Sequence, residues 1–142
     1  MMRFDTQVCT TREQSERLLA FGLKKETADM FLTKHFVGNN GTLMLFIGCA
    51  YNPSTVLYSK DDIPAWSLHR LMKLCPESIH LDDYADTHYY LRTTPVKVLY
   101  QRDDKNWLKI CDEGNVYDRM VDMVGWLIKN KHFNKEYLEE TE

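Results

Sequence analysis

No uninterrupted apolar run in this chain exceeds Leu43 to Ile47, whereas a helix crossing a bilayer needs about 20 such residues. A helical membrane span is therefore not expected. The opening residues, Met1 to Gln7, have an early charge but no apolar segment behind it and no small-residue cleavage site. No secretory signal is read there, and the cytoplasm is the expected compartment. Glycine and proline are scarce, six and four, and the glycines are scattered. None falls in a phosphate-binding loop or a dinucleotide fingerprint. The four cysteines, Cys9, Cys49, Cys75 and Cys111, stand 40, 26 and 36 residues apart. Zinc sites and redox pairs need two ligands close in the chain, so these read as reduced, mostly buried thiols.

An excess of positive charge is missing too. Lys and Arg number 18 against 21 Asp and Glu, a net charge of −3. Residues 1–71 carry 8 basic and 7 acidic side chains, and residues 72–142 carry 10 and 14. Nucleic-acid binders concentrate cations because each neutralised phosphate releases counterions. The densest groups here are Lys24-Lys25 and Lys129, Lys131 and Lys135, and the second complements the C-terminal dipole of an expected helix. Nucleic acid is accordingly the least favoured partner, the best route to it being a helix over 64–75 with Arg70 and Lys73.

What the sequence does have is material for a core. Hydrophobic residues make up 44% of 142 positions, with six Phe, eight Tyr and three Trp. A chain of this length forms one domain and buries roughly 68–70% of its unfolded surface, and no repeat or low-complexity linker divides it.

Along the chain, Thr10-Thr11-Arg12-Glu13-Gln14 offers two overlapping capping boxes, which predict a helix over about 11–21 closed by Gly22. A second helical turn is expected at Glu26–Phe31. Turn chemistry at Val37–Thr42 precedes a strand, Leu43 to Tyr51, apolar on both faces. Such a run implies a central place in a sheet, or one covered by helices on one side and loops on the other. In the next helix Leu68, Leu71, Met72 and Cys75 share one face, Pro76 ends it, and either Ser67 as N-cap or Pro64 at a first position starts it. Alternation then marks short strands at Ile79–Leu81, Tyr89–Leu91, Val96–Arg102 and Trp107–Cys111. The last two should form a hairpin around Asp103–Asn106. From Val116 to Ile128, Tyr117, Met120, Val121, Val124, Leu127 and Ile128 trace an amphipathic helix. Gly125 inside it costs about 1 kcal/mol relative to Ala, which points to a close approach by another element. The acidic tail, 134–142, is expected to fray. The fold class is α+β, a single domain with an antiparallel or mixed sheet, helices packed on it and an amphipathic C-terminal helix.

The densest set of potential ligands is His80-Leu81-Asp82-Asp83-Tyr84-Ala85-Asp86-Thr87-His88. His80, Asp82, Asp83, Asp86 and His88 are the metal candidates, since a hard divalent ion takes several converging oxygens. The spacing matches neither an EF-hand loop nor a zinc helix, and a solvated connection between strands is the favoured reading of it. Ser67 beside His69 lacks a nucleophile elbow and reads as a cap. The aromatics Trp66, Trp107, Trp126, Tyr89, Tyr90 and Tyr100 read as core, with a binding groove as the alternative.

Three stretches, Thr11–Leu19 leading to Glu26–Met30, Pro64–Pro76 and Met120–Ile128, together resemble a group of small uncharacterised proteins of gut bacteria and their phages or mobile elements. That resemblance implies an intracellular accessory protein and brings no catalytic residue with it. The expectation is a non-enzymatic protein-interaction module with an unknown protein partner, no cofactor and homo-oligomers possible. The alternative is a small metal-dependent enzyme using the His80–His88 segment and a metal-bound water.

Overall fold

A computed structural model describes residues 7–37, 42–49, 62–81 and 87–140, the backbone alone for 33–37 and 42–49. Its best-formed helix follows directly from the sequence. Asn115 caps it, accepting from Asp118 N, while Asp118 reaches back to the Asn115 N–H. Gly114, at φ 75°, leads in where a Cβ would collide with Asp118. The result is α3 (Val116–Lys129), which buries Tyr117, Met120, Val121, Met123, Val124 and Leu127. The expected apolar stripe is thus buried except for Ile128, which is half-buried, with Met123 added.

Helix α1 (Arg12–Ala20) starts at the second of the two candidate boxes, Thr11 with Gln14. Thr10 is buried instead, its hydroxyl bonded to Ser15 and to Trp66 N. Helix α1 lies against α3 through Gln14 to Asp118 and Arg17 to Asp122, both at 2.6 Å. At their crossing the Phe21 ring sits over Gly125, 2.6 Å from where a Cβ would stand. The close approach inferred from that glycine is real.

Two antiparallel sheets complete the α+β fold among the described residues. The first has the order β2-β1-β3, from β1 (Met30–Val37), β2 (Thr42–Cys49) and β3 (Ile63–Ala65). The second has the order β4-β5-β6-β7, from β4 (Ser78–Leu81), β5 (Thr87–Thr93), β6 (Val98–Asp103) and β7 (Asn106–Cys111). The expected hairpin around Asp103–Asn106 is the β6–β7 pair.

Three local expectations need correction, and one alternative is decided. The helical turn at 26–31 is a 3-10 turn, Lys25–Thr27, followed by β1, whose pairing on both edges satisfies the backbone that a helix would otherwise have satisfied locally. Among the described residues the apolar strand β2 stands at the end of its sheet, and β1 holds the centre. Pro64 does not start α2 (Leu68–Leu74), which is capped by Ser67. It lies in β3, an edge strand, where a missing N–H is tolerated. The tail does not fray before Glu139: Leu23 and Leu138 form a bridge, Lys24 N donates to Tyr137 O at 2.8 Å and Glu139 N to Gly22 O at 2.7 Å.

The core lies between the helices and one face of the β4–β7 sheet, joining Leu18, Trp66, Leu71, Ile79, Val98, Tyr100, Cys111 and the stripe of α3. Trp66 and Tyr100 are fully buried, and each has a partner for its polar atom. Trp66 Nε1 donates to Thr27 Oγ1, and Tyr100 OH to Pro76 O. Reading all the large rings as core is wrong for two of them, Tyr90 and Trp107, which are exposed. Trp126 is half-buried and packs against the core, beside His132.

Candidate functional site

Strict alternation along β4 and β5 sorts their side chains between two environments. Ile79, Leu81, Tyr89 and Leu91 belong to the core, which leaves Ser78, His80, His88, Tyr90 and Arg92 for the opposite face. Thr87–Thr93, rich in aromatic and β-branched residues, suits a strand with one wet side. The register places His80 directly opposite His88 and Ser78 opposite Tyr90. The row continues across the sheet, Tyr90 opposite Gln101 and Gln101 opposite Trp107. A register shift between Tyr100 and Gln101 lets Trp107 face outward while Leu108 stays against the core.

Of the five residues proposed as metal ligands, His80 and His88 are brought together. Their rings stack with centroids 4.4 Å apart and planes 7° from parallel, and Tyr90 continues the stack at 6.4 Å from His88. Asp82, Asp83 and Asp86 lie outside the described residues. Both imidazoles are exposed. With the two rings stacked in parallel planes, their in-plane lone pairs do not converge on one point. Among the described residues no group of three or more His, Cys, Asp or Glu is placed to hold a metal ion.

What dominates this outer face is aromatic surface. Tyr90 is 51% exposed and Trp107 53%, far more than large rings retain in a core. They share that side of the sheet with the two imidazoles and Arg92, and their own row, Ser78, Tyr90, Gln101 and Trp107, holds no carboxylate. Leu99 is the shielded member, between its cross-strand neighbours Arg92 and Ile110. The two exposed rings were missed as surface residues, although the parity of Leu91 and Tyr100 against Tyr90 and Gln101 was there to be read.

The other candidates resolve as structure. Ser67 is a cap whose hydroxyl donates to Asp29 Oδ2 and accepts from Arg70 N, while His69 is exposed on α2. Cys9, Cys75 and Cys111 are buried and in no disulfide, and the side chain of Cys49 lies outside the described residues. Burial, with Cys111 nearby, pushes the Cys75 thiol up to about 12, and burial pushes Cys111 up to about 11. At neutral pH both are protonated, which removes the thiolate a nucleophile or metal ligand needs. Helix α2 spends its apolar side, Leu71 and Leu74, on the core. A groove of about 610 Å³ runs between Phe21, Ile128, Phe133 and Leu138, edged by Lys131, Lys135, Glu139 and Glu140. Its charges are mixed and no reactive group lies in it. Buried Arg119 donates from Nε to Asn115 O, and its Nη1 has no partner.

No described helix is long and apolar enough to cross a membrane. No family model, no curated protein and no solved structure matches the chain.

Proposed function

We propose that this protein is a non-enzymatic interaction module whose working surface is the outer face of the β4–β7 sheet, and that it docks a protein segment presenting apolar side chains flanked by carboxylates. One observation carries the reading: Tyr90 and Trp107 stand half-exposed in a single cross-strand row on the side of the sheet away from the core. Exposed aromatic surface of this kind marks interaction sites, and Tyr, Trp and Arg are the residues that most often anchor them. Arg92 and the two imidazoles bias the face toward an acidic partner. The resemblance to uncharacterised proteins of gut bacteria and their phages or mobile elements implies an intracellular accessory role, which agrees with a cytoplasmic module of that kind.

The test compares captures rather than counting them. Tagged wild-type protein and the Tyr90→Ala/Trp107→Ala double variant are exposed to the native host lysate under identical conditions. A partner recovered by the wild type and lost by a double variant of unchanged melting temperature supports the reading. Identical capture by both proteins overturns it. So does sedimentation showing that the face is occupied by a second copy of the chain, or salt-sensitive retention on single-stranded nucleic acid that depends on Trp107.

A further inference from the structure

We propose that His80 and His88 form a binding site for a late first-row divalent cation, Ni2+, Cu2+ or Zn2+, held by one imidazole nitrogen from each strand. The site shares its two imidazoles with the docking face but does not rest on the docking reading, and its test needs no partner protein.

The register of β4 against β5 places the two residues directly opposite one another. Residues so paired have Cβ atoms about 4.5–5.5 Å apart. Two imidazole nitrogens anchored at that separation can both lie at about 2.0–2.1 Å from one ion. The rings already occupy the same small volume, with centroids 4.4 Å apart. Closing the site requires a rotation about the side-chain torsions that makes the lone pairs converge. Both side chains are exposed, so the rotation takes place in solvent, and water can fill the remaining coordination positions.

The chemistry of the donors selects the ion. Imidazole suits nickel, copper and zinc, whereas magnesium and calcium take oxygen. Among the described residues the competing thiols are withdrawn, because Cys9, Cys75 and Cys111 are buried and the thiols of Cys75 and Cys111 are protonated at neutral pH. The strands are fixed by the sheet before any ion arrives, so the two ligands come at a set spacing and little ordering is needed on binding. An ion bridging β4 and β5 binds the folded chain and not the unfolded one, so occupancy raises the melting temperature.

Titration calorimetry of the full chain with Ni2+, read beside thermal melts, tests the site. One Ni2+ per chain is expected, with a rise in melting temperature and no response to Mg2+. Either His80→Ala or His88→Ala should weaken Ni2+ binding at least about tenfold, the loss that follows even from removing a ligand's supporting partner. His69→Ala and His132→Ala should leave binding unchanged. His80→Gln and His88→Gln carry the same comparison if an alanine variant melts early. Absence of saturation at about 1 mM Ni2+, equal affinity in the His80 and His88 variants, or dependence on His69 or His132 overturns the site.

Discussion

The two faces of the β4–β7 sheet are made by the same four strands and the same kinds of residue, yet they do opposite things. On the inner face Ile79, Leu91, Val98 and Tyr100 meet the helices and take part in folding. On the outer face His80, His88, Tyr90 and Trp107 remain in water. A tyrosine occurs on each side one residue out of phase, Tyr100 with its hydroxyl committed to Pro76 O and Tyr90 half-exposed. Ring content alone does not say which residues stabilise the protein and which are available to a partner. Phase relative to the core does.

The comparison is broken most forcefully by truncating a ring that folding depends on. Trp66 is fully buried and its indole N–H is satisfied by Thr27, so Trp66→Ala should cost about 3–5 kcal/mol in denaturant melts. Trp126→Ala, removing a half-buried ring, should cost about 1–2 kcal/mol. Equal losses from the two would mean that burial does not rank these rings.

Alkaline pH separates the same two faces without mutation. An unfolded chain releases the Cys75 proton near 9.0, whereas burial and the neighbouring Cys111 hold the folded thiol up to about 12. The folded pKa is raised, so this contribution is intact below pH 9 and is lost as pH climbs toward 12. The slope is about 1.4 kcal/mol per pH unit for this thiol. Burial also raises the Tyr100 phenol, which steepens the fall above pH 10. Cys75→Ala should flatten the decline between pH 9 and 11. A stability curve unaffected by that substitution would show that the inner face is not the source.

Much of this architecture was legible because local signals and burial agreed. The capping residues of α1 and α3, the α3 stripe and the β6–β7 turn each specify their element within a few residues. The misread parts depended on partners distant in sequence. Strand β1 follows Glu26-Thr27-Ala28-Asp29, a helix-like start, and became a strand because β2 and β3 pair with its two edges. β2, apolar throughout, resembled a central strand but among the described residues ends its sheet. The His80–His88 segment was visible as a cluster in sequence, while its geometry was not. Assigning both Ile79 and Tyr89 to the core would have put His80 across from His88 on the other face.

A smaller effect is expected where two opposing terms nearly cancel. Gly125→Ala gains about 1 kcal/mol of helix propensity, but its methyl would meet the Phe21 ring at 2.6 Å. Overpacking of that kind costs about 1–3 kcal/mol, so a net loss of about 1 kcal/mol is expected from melts. In a Phe21→Ala background the clash is gone and the same substitution should stabilise. If Gly125→Ala behaves identically in both backgrounds, Phe21 is not what requires the glycine.

The smallest stability effects belong to the outer face, and their smallness is informative. Tyr90 and Trp107 flank Gln101 in one cross-strand row, where neighbouring side chains contribute about 0.2–1 kcal/mol each. With half of each ring already in water, Tyr90→Ala and Trp107→Ala should each shift the unfolding free energy by no more than about 0.5–1 kcal/mol. A larger loss would mean that these rings serve the fold as Trp66 does, and the distinction between the faces would fail. A loss within that range leaves two large aromatic side chains that the fold does not need for its stability, on a surface whose other prominent residues are imidazoles and a guanidinium, and recognition is the role that such residues remain free to perform.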